Sequence, residues 1–451
     1  MDASFFEKKN VKRAIVFGGG GARGAFEIGV WKALDELGYH ADIVTGTSVG
    51  ALNGALYILG DQESAEKMWK EIETRHILGF EPPSEFAGLA DYGKTLSDFV
   101  AKVIKEKGLS TKPLEEMIGK YIDDEMKIRS KHIDFGLSTM NYQTKNIENI
   151  YLEDIETGKL SDYLIATSAL YPAMEKHYIN GIPYIDGGYI NNIPIDMALD
   201  KAPDQIIAVD INGPGWFRDY PTIETCDYKW ISTKWPLGEI LLFDKRRTEM
   251  NIILGYLETM KQAKHTDYIG DWYTFDPKQF SSETEAFYVA LHQLLIGQRS
   301  SQLFSQIKRE NFQKDLLKEL GKKWGKTVDE KNLMLAVMEM TGKTFKIAPD
   351  KRYSISDFQK TVIRRVKYLN KAEEERSVDV FESSYLLSGK EWSREFFEQL
   401  PLVSNRRMTI QILKWISDDS ITLEHPLFGI LLKVKPFPLI IALYCKYLLS
   451  K

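Results

Sequence analysis

The chain has 451 residues, 43% of them apolar and 27% charged, with a net charge of -5 and two cysteines. That composition allows two or three domains and excludes large-scale disorder, while two widely separated cysteines, Cys226 and Cys445, exclude a disulfide framework and point to a reducing cytoplasm. Residues 1–215 carry 22 Lys and Arg against 33 Asp and Glu, and the rest 37 against 31, an asymmetry that fits orientation on an anionic surface as well as it fits chance.

In chain order, MDASFFEKKNVKRAIVF has no long apolar stretch behind its basic residues, which argues against a secretory signal. The first element is AIVF, residues 14–17, a short strand running into GGGGARG, residues 18–24, and a helix over 24–37. Gly19, Gly21 and Gly24 satisfy a dinucleotide fingerprint, in which amides and a helix N-terminus hold a pyrophosphate. That reading wants an acid at the tip of the second strand. Asp42 precedes that strand, IVTG at 43–46, instead of ending it.

The strand ends in Gly46-Thr47-Ser48-Val49-Gly50, followed by an Ala- and Leu-rich helix over 49–59. A G-x-S-x-G between strand and helix is the setting of a nucleophile elbow, whose serine takes strained dihedrals and whose neighbours must be small. The alternative is a serine N-cap on an ordinary helix. If Ser48 attacks a carbonyl, the bare amides of Gly19, Gly20 and Gly21 would receive the oxyanion, each such donor contributing about 3 kcal/mol to lowering the barrier. Arg23 would brace the loop or hold a phosphate.

A helical region over 62–107 follows, then the strand-like stretches HIDFGLSTM, YLIATSAL, PYIDGGYI and QIIAVDI. The alternation predicts an α/β layer fold with functional groups at strand ends. Asp186 follows the strand 183–185 and precedes Gly187-Gly188, so its carboxylate projects from a strand end. At an ordinary pKa of ~3.9 it is a weak base, which burial would strengthen; the alternative is a turn aspartate that caps Gly187 or Gly188. His265, His292 and His425 follow Asp186 without a glycine-rich setting, which favours a Ser-Asp pair over a triad. The other histidines, His40, His76, His132 and His177, lack metal-ligand spacing.

After Gly215 the alternation stops. Residues 216–243 are rich in large aromatics (Trp216, Phe217, Trp230, Trp235, Phe243), placed to overhang Ser48 as a lid or interfacial loop. Helices are expected near 243–263, 284–325, 328–341, 354–371, 392–400 and 405–417, with KTFKIAPDKR at 344–353 as a candidate domain boundary. The helix over 354–371 gathers Phe358, Val362, Val366 and Leu369 on one side of a basic pattern, as a solvated surface helix or a contact for anionic lipid. The C-terminal stretch 425–451 is apolar but interrupted by Lys433, Lys435, Pro436, Pro438 and Lys446, too broken to span ~30 Å of hydrocarbon as one helix. It would lie among headgroups or pack into a core.

GGGGARG, GTSVG and DGGYINNIP, in this order, resemble the patatin-like phospholipases, and LSTKPLEEMI, ATSALYPAM and IIAVDINGPG resemble the segments around those motifs. The resemblance covers about 12–215. It implies an α/β fold, a three-layer α/β/α core with a mostly parallel sheet followed by a mainly helical C-terminal region, so that 1–280 form a lipid acyl hydrolase domain and 281–451 a helical region of unassigned role. It implies Ser48 as nucleophile, Asp186 as base, an oxyanion hole in the loop of Gly19, Gly20, Gly21, Ala22, Arg23 and Gly24, an elbow of Gly46, Thr47, Val49 and Gly50, and an Asp-Gly-Gly motif completed by Gly187 and Gly188. No metal and no cofactor is implied. Substrates would be carboxylic esters of phospholipids or other polar lipids, cleaved through an acyl-serine; a carboxylic acid serves a departing alkoxide better than an amide nitrogen, which disfavours proteolysis. The expected setting is cytoplasmic, with transient contact to the inner face of a membrane, a lipid substrate, no nucleic acid, and self-association left open. Two other readings are a nucleotide-binding regulator using the glycine loop, against which Asp42 stands, and a partner-binding scaffold with a vestigial core, against which Ser48 and Asp186 stand.

Overall fold

The structure, a computed structural model, describes residues 4–78, 108–215, 226–278, 280–296, 306–375, 404–417, 431 and 435–451. The chain divides into two compact units, Met1–His265 and Thr266–Lys451. The division precedes both positions suggested by the sequence, 280 and 344–353, because Thr274–Phe275 pairs in parallel with Arg352–Tyr353 and ties both stretches into the second unit. The expected helix near 392–400, Trp216, Phe217 and the whole of 79–107 lie outside the described residues.

The first unit is built on an eight-stranded sheet: β1 (Arg13–Phe17), β2 (Ile43–Thr47), β3 (Asp134–Asn141), β4 (Ile147–Tyr151), β5 (His177–Ile179), β6 (Ile182–Asp186), β7 (Gln205–Val209) and β8 (Asp227–Ile231). The order is β5-β6-β3-β2-β1-β7-β8, with β4 also on β3. The run β3-β2-β1-β7-β8 is parallel and the pairings of β4, β5 and β6 are antiparallel. Along β1, Ala14 and Val16 pack into one apolar cluster with Ile195 and Ala198, while Ile15 and Phe17 enter the larger cluster on the opposite face. Both faces are therefore covered, which explains continuous apolar strands in place of alternating ones.

The helices that concern the site are α1 (Ala25–Glu36), α2 (Val49–Leu59), α3 (Gln62–Glu71), α4 (Lys112–Tyr121), α5 (Leu160–Ser168) and α6 (Lys245–Ala263). Their ends have local causes. Gly60, at φ 82, closes α2 by donating its N–H to Leu56, and the Asp61 carboxylate accepts the Ser64 N–H at 3.0 Å to start α3. α1 and α6 cross in close contact: a Cβ on Gly29 would come 1.9 Å from the Ile252 carbonyl oxygen, and one on Gly255 would come 1.9 Å from that of Phe26. YLIATSAL is not a strand. Residues 160–168 coil as α5, and a short buried apolar run does not separate the two by periodicity.

The second unit contains α7 (Phe280–Ile296), α8 (Gln306–Trp324), α9 (Leu333–Phe345), α10 (Ile355–Glu375), α11 (Asn405–Ser417) and α12 (Pro436–Ser450). The break expected at 344–353 is internal to it: Lys346 turns left-handed at φ 55 after α9, and the chain returns as a short strand. Glu339 is buried on α9, and its Oε1 accepts the consecutive amides of Asp271, Trp272 and Tyr273 at 2.7, 2.8 and 3.0 Å. On α10, Phe358, Val362 and Val366 face the core while Tyr368 is exposed. On α12, Leu439, Ile440 and Ile441 are fully buried. That helix packs in a protein core, and no helix among the described residues is long and apolar enough to cross a membrane.

Candidate active site

Strand pairing alone brings Ser48 and Asp186 together. β4 and β6 both pair with Thr139 and Met140, so they take opposite edges of β3, and β6 continues along the edge that β2 has already occupied. The β2 pairing ends with Thr47 opposite Ser138, and that of β6 reaches Asp186 opposite Thr139. Consecutive residues of β3 thus align the serine after one strand with the aspartate at the tip of another.

Ser48 sits at φ 55 and ψ -130 between β2 and α2, a conformation that a non-glycine residue holds only when its surroundings impose it. Its side chain makes no N-cap hydrogen bond, so the ordinary-cap alternative is not realised. The surroundings include Thr167, at the end of α5, whose hydroxyl accepts the Ser48 N–H at 2.9 Å and donates to the Ser138 carbonyl. Ser48 is 8% exposed and Asp186 5%. Burial pushes the Asp186 carboxyl up to about 6, against the pull of hydrogen bonds from the Ser48 side chain and the Gly188 amide. The Gly188 bond, 2.7 Å long, is the turn cap considered as an alternative for this residue. One carboxylate serves both contacts.

The glycine loop packs against protein on most sides. Gly21, at φ 57, has the Ile240 carbonyl oxygen 2.2 Å from where a Cβ would stand, and Gly19 has Asn192 Oδ1 at 2.5 Å. The Gly19 amide donates to the Asn192 carbonyl at 3.0 Å, that of Ala22 to Ile240 at 2.7 Å and that of Arg23 to Gly20 at 3.3 Å. Among the described residues no carbonyl takes up the amides of Gly20 and Gly21, and these two residues line the same cavity as Ser48 and Asp186. Arg23 braces backbone: its Nε donates to the Gly238 carbonyl at 2.7 Å, and its guanidinium also meets the carbonyl of Asn212. Asp42, at the opposite end of the sheet, accepts the Arg13 N–H at 2.9 Å.

The cavity holds about 690 Å³. Beyond the four residues just named, its wall is mostly apolar, with Leu52 and Leu56 of α2, Trp69 of α3, Leu114 and Ile118 of α4, and Phe243. Sequence reasoning missed the groups that hold it in shape. Asn53 donates to the Gly24 carbonyl at 3.0 Å and to Glu27 Oε2 at 2.7 Å, and accepts the Trp69 indole N–H at 2.9 Å. Full burial pushes the Glu27 carboxyl well above the usual range. Asn192 donates to the Gly19 carbonyl at 3.2 Å. It stands inside DGGYINNIP, so its motif was visible although its task was not.

Residues 15–199 match the family model described as Patatin-like phospholipase. The chain is 30% identical over 211 residues to Patatin-like phospholipase domain-containing protein 6 of Homo sapiens, covering 44% of this chain and 13% of that protein. It is 28% identical over 207 residues to Patatin-like phospholipase domain-containing protein 7 of Rattus norvegicus, with the same shares of 44% and 13%. Against Lysophospholipase NTE1 of Mycosarcoma maydis the identity is 29% over 198 residues, 44% of this chain and 9% of the other. The match spans a small part of each relative's length.

Proposed function

Because the chain belongs to the patatin-like phospholipase family through residues 15–199, we propose that it hydrolyses carboxylic esters of phospholipids or other polar lipids, with Ser48 as nucleophile and Asp186 as the group that moves the proton. The observation that carries this reading is a single apolar cavity of about 690 Å³ lined also by Ser48, Asp186, Gly20 and Gly21, within the ~300–1,000 Å³ range of small-molecule sites. An acyl chain would lie along Leu52, Leu56 and Ile118 with its ester carbonyl at Ser48. The Ser48 hydroxyl attacks the carbonyl carbon and its proton passes to Asp186, while the oxyanion turns to the amides of Gly20 and Gly21. Asp186, now a carboxylic acid, returns the proton to the departing alkoxide. Water, deprotonated by the same carboxylate, then cleaves the acyl-serine and restores the hydroxyl.

The raised proton affinity of Asp186 supports this role, since a base near 6 accepts a proton better than an exposed carboxylate and remains ionised at neutral pH. Measuring fatty-acid release from phospholipid and lysophospholipid tests the reading: Ser48→Ala should lower kcat by about a thousandfold or more with an unchanged circular dichroism spectrum. A folded Ser48→Ala protein that releases fatty acid at the parent rate would exclude Ser48 as nucleophile.

A further inference from the structure

Tyr142 follows the end of β3 and donates its N–H to the Pro183 carbonyl at 2.9 Å, continuing the β3–β6 pairing beyond Asn141 and Tyr184. It lies three residues along from Thr139, the partner of Asp186, hence roughly 10 Å past the site on the side where open α/β sheets receive ligands. Two lysines from separate segments converge on its ring: Lys145 Nζ is 3.3 Å from the centroid and Lys176 Nζ 3.5 Å. Two cations sharing one ring repel each other. Neighbouring lysines have acidic partners, Lys159 with Asp162 and Lys201 with Glu153, but among the described residues neither Lys145 nor Lys176 makes an ion pair.

This pair of cations adjoins the cavity. The Tyr142 ring meets that of Tyr171 edge to face at 5.4 Å, Lys176 also lies 4.9 Å from the Tyr171 centroid, and Tyr171 lines the cavity of Ser48 and Asp186. Tyr189, another lining residue and 39% exposed, donates its hydroxyl to the Tyr171 carbonyl and fixes that corner. The two ammonium charges lower the pKa of the Tyr142 hydroxyl, which makes it a stronger hydrogen-bond donor.

From this convergence we propose that Lys145, Lys176 and the Tyr142 hydroxyl form a recognition site for the phosphate headgroup of the lipid whose ester lies at Ser48. The proposal rests on the hydrolase reading for the position of the ester and adds the headgroup class. A phosphate presents several acceptor oxygens on one anion, enough for two ammonium groups and a phenol at once. In a glycerolipid only a few bonds separate that phosphate from the scissile carbonyl, which suits a cationic group at the cavity edge. Lysines serving a bilayer surface would spread over a face; these two close on one ring.

The test compares lysophosphatidic acid with monoacylglycerol of the same acyl chain, both kept monomeric. The double variant Lys145→Gln, Lys176→Gln should raise the KM for lysophosphatidic acid about tenfold, leave its kcat in place, and leave monoacylglycerol turnover unchanged. Calorimetric binding of the two lipids to Ser48→Ala protein, with and without the lysine substitutions, should show the same selective loss without requiring turnover. Equal losses for both lipids, or no loss for either, would overturn the headgroup assignment. Failure of the parent protein to release fatty acid from these two lipids and from phospholipid would reject the hydrolase reading, and the calorimetry would still decide the phosphate site.

Discussion

Asp186 ends β6 as a buried carboxyl whose oxygen accepts the Gly188 amide at 2.7 Å, and its surroundings set how tightly it holds a proton. Sequence placed Asp186 at a strand tip before two glycines, and the structure adds burial, a cap on Gly188 and contact with Ser48. A carboxyl near 6 when folded and ~3.9 when unfolded binds its proton more tightly in the native state. Its contribution to stability is therefore fully present below ~3.9 and is lost as pH rises through about 6, a change on the order of 3 kcal/mol. Urea unfolding of the parent protein against Asp186→Asn should show the parent losing that much, relative to the variant, between pH 4 and pH 7.5; a constant difference would contradict the assigned shift. In the same window kcat/KM should rise about tenfold per pH unit below 6 and level above it, and a profile flat from pH 4.5 upward would remove Asp186 as the base. For the loop, the sequence suggested that bareness serves the substrate. The neighbours that forbid side chains at Gly19 and Gly21 are Asn192 and Ile240, residues so remote in the chain that no local pattern names them, and only Gly20 and Gly21 keep amides that no described carbonyl takes up.

The elements most legible in advance were those with strong local signals. The helix over 49–59 has the expected bounds because Gly60 stops it, and Asn405–Ser417 likewise coincides with 405–417. Short runs carry weaker signals: the buried apolar run of α5 suits a strand as well as a helix, β4 and β5 are brief, and β8 lies within an aromatic stretch. The difference at α5 matters chemically, because a helix ending at Ser168 is what delivers Thr167 to the Ser48 amide. The α1–α6 crossing was equally invisible, since Gly29 and Gly255 look like ordinary weak points in two helices. A side chain at either would meet a backbone carbonyl of the facing helix. Gly29→Ala should force the pair apart and lower stability by about 1–3 kcal/mol, read as a lower urea midpoint; an unchanged midpoint would mean that the crossing relaxes without cost.

For the molecule as a whole, the alternation of the first half and the helical second half predicted the layer order, while the dividing point moved to 265 because 274–275 and 352–353 form one short sheet. The apolar C-terminus, ambiguous in sequence between lipid and protein surroundings, is settled over 436–450 by complete burial of Leu439 to Ala442. Within the first unit, topology fixes the site: two strands sharing one edge of β3 bring together groups separated by most of the matched domain. The most direct measurement of the resulting chemistry is peptide mapping by mass spectrometry after reaction with a long-chain alkyl fluorophosphonate. One adduct per chain, on the peptide containing Ser48 and slowed by a competing lysophospholipid, is the predicted result. Stoichiometric modification at another residue, with Ser48 left untouched, would contradict the account.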